Sequence, residues 1–212
     1  MKLYGSPIST CTRKVLCTLA EKGAHADFVN VELFRGEQKD AAYMRAHQPF
    51  GRVPAIEDEG FSMYESRAII RYLDETLAGT KLTPTDAKGR ARMEQWTSVE
   101  YSYFSGPALK IIGERVFHPM LGMPIDEVKV AAGKKELAPT LDVLETRLAE
   151  ASYLAGETFS LADIGYLPYV DYLFAANEGE MIASRPHVHA WWKRISERPS
   201  WKTATREVDA RS

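Results

Sequence analysis

The hydrophobic pattern of this chain changes character once, across AGTKLTPTDAKG at residues 78–89, and that change limits what the chain can fold into. Upstream, short alternating runs and helical runs take turns; downstream, every apolar stripe has a helical period. A small α/β unit followed by an all-helical unit accounts for both halves. The small and polar residues of the stretch, with Gly79 and Pro84, mark a linker. The expected boundaries are 1–77 for the first domain, 78–86 for the linker and 87–212 for the second.

In the first part KLYG reads as a strand. Val15, Leu16, Leu19 and Ala20 follow helical spacing between Thr12 and Lys22, and Gly23 stops the run. DFVNVEL alternates, with Val29, Val31 and Leu33 on one face, as a half-buried strand does. Residues 38–47 are polar and read as a short helix. RVPAIED and FSMYE form two short strands joined by the acidic turn Asp58–Gly60, a hairpin. A helix from Ser66 to about Leu77 carries Ile69, Ile70, Tyr72 and Leu73, so the order is β-α-β-α-β-β-α.

Beyond the linker, Met93, Trp96 and Tyr103 share one side of a long helix that Pro107 is expected to kink. Leu137, Leu141, Leu144 and Leu148 give a second stripe, in which Pro139 predicts a kink or a late helix start. SLADIGYLPYVDYL and HAWWKRI mark two more helices. Ser160 and Asp163 form a capping box ahead of the former, which makes Asp163 a folding determinant rather than a catalyst.

Composition excludes several classes of function. With 27 basic and 29 acidic residues the net charge is −2, so no global field draws the chain to nucleic acid or an anionic membrane. No apolar run approaches the ~20 residues of a membrane span. Met1 is followed directly by the strand-like Lys2, Leu3 and Tyr4, which leaves no room for a signal peptide. Cys11 and Cys17 lie in one helical run, roughly 9 Å apart along its axis, beyond disulfide reach. They are expected to be free thiols in a reducing cytoplasm. The five histidines have no zinc-like spacing with cysteine, and no metal is expected.

Three segments could carry chemistry. Pro54 falls inside a predicted strand, where its missing N–H calls for an edge position or a cis bond. A cis Val53–Pro54 bond would turn the Val53 N–H and C=O outward to pair with a peptide-like ligand; an edge-strand proline is the alternative. In YESRAII, Glu65 and Ser66 open a helix. Backbone N–H groups there favour an anion while Glu65 could hold an ammonium, though the pair also reads as a plain helix cap. GSPISTCTRKVL sets Ser9, Thr10 and Cys11 in a row at the start of the first helix, where a cap and a buried cysteine are again the plain reading. Gln38 and Lys39 of GEQKD are, alone, solvated side chains.

The order of these segments is specific where each alone is not. SPISTCTRKVL, VELFRGEQK, PFGRVPAIED, ESRAIIRYL, ERVFHPMLG and SLAD, in that order, resemble the cytosolic glutathione S-transferases, closest to the phi class of plants and its bacterial relatives. The resemblance implies a thioredoxin-like domain with Pro54 in cis, an all-helical second domain, and glutathione as co-substrate without a tightly bound cofactor. It implies that the Ser9 hydroxyl donates to the glutathione sulfur, so that glutathione itself is the nucleophile in a detoxifying conjugation. Glu65 and Ser66 would hold the γ-glutamyl end, the Val53 backbone the cysteinyl residue, and Gln38 with Lys39 the glycyl carboxylate. Relatives often carry histidine at the place of Gln38 and glutamine at that of Arg52, which here contributes backbone or charge. The electrophile would be a small hydrophobic molecule in an apolar site between the domains, lined by Ile8, Thr10 and Phe34 and by Tyr103, Phe104 and Phe117. Phe50 would be an aromatic key of a twofold homodimer. Two alternatives stand beside this: a thiol reductase using Cys11 through a mixed disulfide, and a non-catalytic binder of hydrophobic ligands. The natural electrophile, and whether peroxides are reduced, stay open.

Overall fold

The computed structural model describes residues 1–209. They divide into two compact units, Met1–Lys81 together with the chain from Arg198, and Leu82–Glu197. Among the described residues no helix is long and apolar enough to cross a membrane.

The first unit holds a four-stranded sheet of order β2-β1-β3-β4, from β1 (Lys2–Gly5), β2 (Asp27–Asn30), β3 (Ala55–Asp58) and β4 (Phe61–Tyr64). β1 and β2 run parallel, which requires a crossover, supplied by α1 (Thr10–Glu21). β1–β3 and β3–β4 are antiparallel, and Glu59 and Gly60, at φ 48° and 86°, form the left-handed turn of the expected hairpin. α3 (Ser66–Thr76) packs beside α1, and Leu3, Val15, Leu19, Ile56, Ile69, Ile70 and Leu73 make the core. Lys22 and Asp74 lock the far ends of the two helices: the ammonium lies 2.9 Å from the carboxylate, both fully buried, and also donates to the Thr80 carbonyl.

The strand read over 27–33 stops at Asn30. A 3₁₀ turn, Leu33–Arg35, follows, then a second at Glu37–Lys39 and α2 (Ala41–Ala46), with Gly36 at φ 78° between the two turns. A larger difference is α11 (Pro199–Asp209), which the sequence reading assigned to the helical domain. It packs on α1 in the first unit, where Arg198 grips Glu21 through Nε and Nη2 at 2.7 and 2.8 Å and Ser200 bonds the same carboxylate.

The second unit is helical: α4 (Ala87–Val99), α5 (Ser105–Ile112), α6 (His118–Met120), α7 (Glu127–Glu150), α8 (Leu161–Ala175), α9 (Glu180–Ala183) and α10 (Pro186–Ser196). Two π turns, Glu100–Phe104 and Gly113–Phe117, widen the first run instead of a simple kink at Pro107. Pro107 has no N–H for the Tyr103 carbonyl, and the Thr140 hydroxyl supplies that bond at 3.2 Å. Pro139 does not delay its helix: α7 begins at Glu127, where the Asp126 carboxylate caps the Val128 and Lys129 N–H groups, and runs through the proline. Leu137, Leu141, Leu144 and Leu148 are all buried.

Candidate active site

Strand register brings the candidate residues to one end of the sheet. Gly5 closes β1 opposite Asn30, Tyr4 faces Ala55 at the start of β3, and Ala55 faces Tyr64 at the end of β4. The segments 6–9, 31–39, 50–54 and 65–66 therefore all adjoin that end, and α1 and α3 both start there with the positive ends of their dipoles.

Ser9 is the N-cap of α1. Its Oγ accepts the Thr12 N–H at 3.2 Å, and its backbone spans from Ser6, whose carbonyl takes the Ser9 N–H, to Arg13, which donates back to the Ser9 carbonyl. The cap occupies a lone pair and leaves the hydroxyl proton available, so capping and donation to a ligand are compatible in one side chain. Around it the turn is stitched to the helix twice more. Thr12 Oγ1 accepts the Ser6 N–H at 3.3 Å, and Arg13 Nε donates to the Pro7 carbonyl at 3.0 Å.

The Val53–Pro54 bond is cis, and the Val53 N–H and C=O have no hydrogen-bond partner among the described residues. Glu65 is exposed at φ 72°, ψ 105°, a conformation that costs a non-glycine residue about 1–3 kcal/mol. Ser66, the first residue of α3, is buried. Gln38 Oε1 is buried without a protein partner, an acceptor open to a ligand N–H. Lys39 folds over the same loop, its ammonium 3.3 Å from the Phe50 carbonyl. Arg52 is exposed and its carbonyl accepts from Tyr43. The arrangement offers an acidic side chain and a helix N-terminus at one side, unpaired backbone in the middle and a lysine with an amide at the other. That is the pattern that would complement a short zwitterionic peptide.

The apolar candidates separate. Ile8 is half-buried and Phe34 is 45% exposed, both in the first unit. Thr10 is buried in the first turn of α1. In the helical unit Tyr103 is 63% exposed and Phe117 is half-buried against the edge of Tyr172. Phe104 corrects the expectation: it is 1% exposed, packed edge-on against Tyr166 and Tyr169, and has no surface for a ligand. Phe104 stands eleven residues after the buried Met93, about three α-helical turns, which brings it to the same buried face, while Tyr103 beside it points away. Cys11 is half-buried and free. Cys17 is fully buried near Ser200, and burial, with Glu21 nearby, pushes its thiol up to about 12.

Two contributors escaped the sequence reading. Gly51 sits at φ 61°, and a Cβ there would lie 2.7 Å from Lys39 Cδ and 2.9 Å from the Gln38 carbonyl, so only glycine lets the two loops meet. Its signal was its place in PFGRVP. Arg13 gave none, because nothing in sequence separates a buried arginine from a solvated one.

Two family models match the chain, the glutathione S-transferase N-terminal domain over residues 3–81 and the C-terminal domain over residues 110–199. Glutathione S-transferase F10 of Arabidopsis thaliana is 38% identical over 200 residues, 93% of either chain. The crystal structure of glutathione transferase F7 from Populus trichocarpa superposes with a TM-score of 0.92 at 37% identity, covering 98% of both chains. Glutathione S-transferase I from maize, solved with an atrazine glutathione conjugate, gives 0.90 at 30% identity over 100% of this chain and 99% of that one.

Proposed function

Because the chain belongs to the glutathione S-transferase family, alongside the phi-class enzymes of plants, we propose that the cluster at the β1 end of the sheet is its glutathione site and Ser9 its thiolate donor. The enzyme is a glutathione S-transferase with glutathione as co-substrate. The observation that carries the Ser9 assignment is its cap geometry, which fixes Oγ at a helix N-terminus with its proton available.

A free thiol ionises near pH ~8.5, and a donor together with a helix N-terminus lowers that value. Glutathione would lose its thiol proton to solvent, the Ser9 O–H would donate to the sulfur, and the thiolate would attack an electrophilic carbon as the leaving group departs. Glu65 would meet the γ-glutamyl ammonium and the α3 N-terminus at Ser66 its carboxylate. Val53 would pair with the cysteinyl peptide beside Pro54. Gln38, Lys39 and the Arg52 region would take the glycyl end. Within the first unit, Ile8 and Phe34 are the apolar surfaces that would be offered to the electrophile. A twofold homodimer keyed by Phe50, in a reducing cytoplasm that keeps Cys11 free, completes the proposal.

Ser9→Ala tests it. The pKa of enzyme-bound glutathione should rise toward the free value and kcat should fall at neutral pH, with little change in glutathione affinity. An unchanged kcat in Ser9→Ala, with activity abolished in Cys11→Ala, would move the chemistry to the cysteine.

A further inference from the structure

Arg13 stands in the opening turns of α1, close to the positive end of the helix dipole, where a cation opposes helix stability. It is also 8% exposed, and a buried guanidinium needs hydrogen-bond acceptors. One of them is the Pro7 carbonyl, which accepts from Nε at 3.0 Å. Pro7 is two residues before Ser9, so this bond ties the turn that delivers Ser9 to the helix that Ser9 caps. Thr12 ties the residue before it, accepting the Ser6 N–H, and Gly5 has no Cβ because Thr12 Cγ2 would stand 2.6 Å from it. Residues 6 and 7 are thus fastened to the opening turns of α1 by two side chains, Thr12 and Arg13.

We infer that Arg13 is a positioning residue for Ser9: its Nε–H, given to the Pro7 carbonyl, holds the Pro7–Ser9 turn so that the Ser9 hydroxyl points at the glutathione sulfur. The inference rests on the Ser9 assignment. Aim matters because a donor misplaced by about 1 Å can cost about 100-fold in rate.

Two substitutions separate the N–H from the charge. Arg13→Lys keeps a cation but puts a methylene where Nε stands; Arg13→Gln removes the cation and puts an amide nitrogen there. The readout is the ultraviolet titration of the bound thiolate, which a purely structural role would leave in place while lowering Tm. In Arg13→Lys the bound-glutathione pKa should rise by about one unit, about ten-fold less thiolate at acidic pH, with KM for glutathione unchanged; Arg13→Gln should recover most of the wild-type value. A folded Arg13→Lys enzyme titrating with the wild type overturns the inference, as does an Arg13→Gln enzyme shifted as far as Arg13→Lys. Should Arg13→Gln not fold, the Arg13→Lys titration decides alone. Ser9→Ala, titrated in parallel, keeps the two failures apart: if it raises the pKa and Arg13→Lys does not, only the Arg13 role falls, and if Ser9→Ala itself does not, the Ser9 assignment falls first.

Discussion

At residue scale the site depends on side chains whose backbone or burial runs against their type. Glu65 holds φ 72° without being glycine. Replacing it by glycine removes about 1–3 kcal/mol of strain and adds back about 0.5–1 kcal/mol of unfolded-state entropy, so Glu65→Gly should be more stable by about 1 kcal/mol in urea unfolding. The same change removes the carboxylate proposed for the γ-glutamyl ammonium, a charged hydrogen bond of about 1.5–3 kcal/mol, so calorimetry should find glutathione bound at least about ten-fold more weakly. A variant that is less stable, or one that binds as before, would contradict the assignment. The identity of Glu65 and Ser66 was legible from ESRAII, and the two readings made of them, cap and ligand contact, share one geometry. The strained dihedral was not legible, because residue types do not reveal φ until the strands that frame them are placed.

At the scale of elements, the βαβ start, the hairpin and the helices after SLAD and near HAWWKRI follow from hydrophobic period, and the capping box at Ser160 forms as expected. Period was less decisive for two adjacent aromatic residues. Tyr103 and Phe104 are both expected at the electrophile site, yet Phe104, about three α-helical turns after the buried Met93, lies in the core, while Tyr103 is exposed. Asp163 shows how much one element end can carry. Its Oδ1 accepts from the Leu154 N–H and from Trp191 Nε1, and its Oδ2 from the Ser160 N–H and hydroxyl, all buried. Burial raises its carboxyl above the ordinary range, and those four donors oppose the rise. An asparagine has one acceptor oxygen in place of two, so Asp163→Asn leaves buried donors facing an NH₂ group, at about 1–3 kcal/mol for a single group. Thermal unfolding should show that loss while glutathione affinity of the folded enzyme stays in place; a Tm equal to wild type would mean that the donors find other acceptors.

At the scale of the whole molecule, the α/β-then-helical division was legible from one change of period, but the return of the chain to the first unit was not. It depends on Arg198 meeting Glu21, 177 positions earlier, and no local pattern encodes a pairing at that separation. The same limit applies to what lies outside one chain. Phe50 keeps 64% of its surface exposed, with its ring touching only the edge of Tyr64 among the aromatic neighbours described, 6.1 Å between centroids. Burying a phenylalanine gains about 1.5–3 kcal/mol, and a twofold interface buries the same residue twice. If Phe50 is the key of the proposed homodimer, Phe50→Ala should weaken association by about 3–6 kcal/mol, a factor above about 100 in Kd. Sedimentation at a concentration where the wild type is dimeric should then find the variant monomeric, with an unchanged circular dichroism spectrum because the ring lies outside the core. A wild type that sediments as a monomer removes the dimer itself, whereas a variant that remains dimeric removes Phe50 as its key and moves the interface to another surface of the chain.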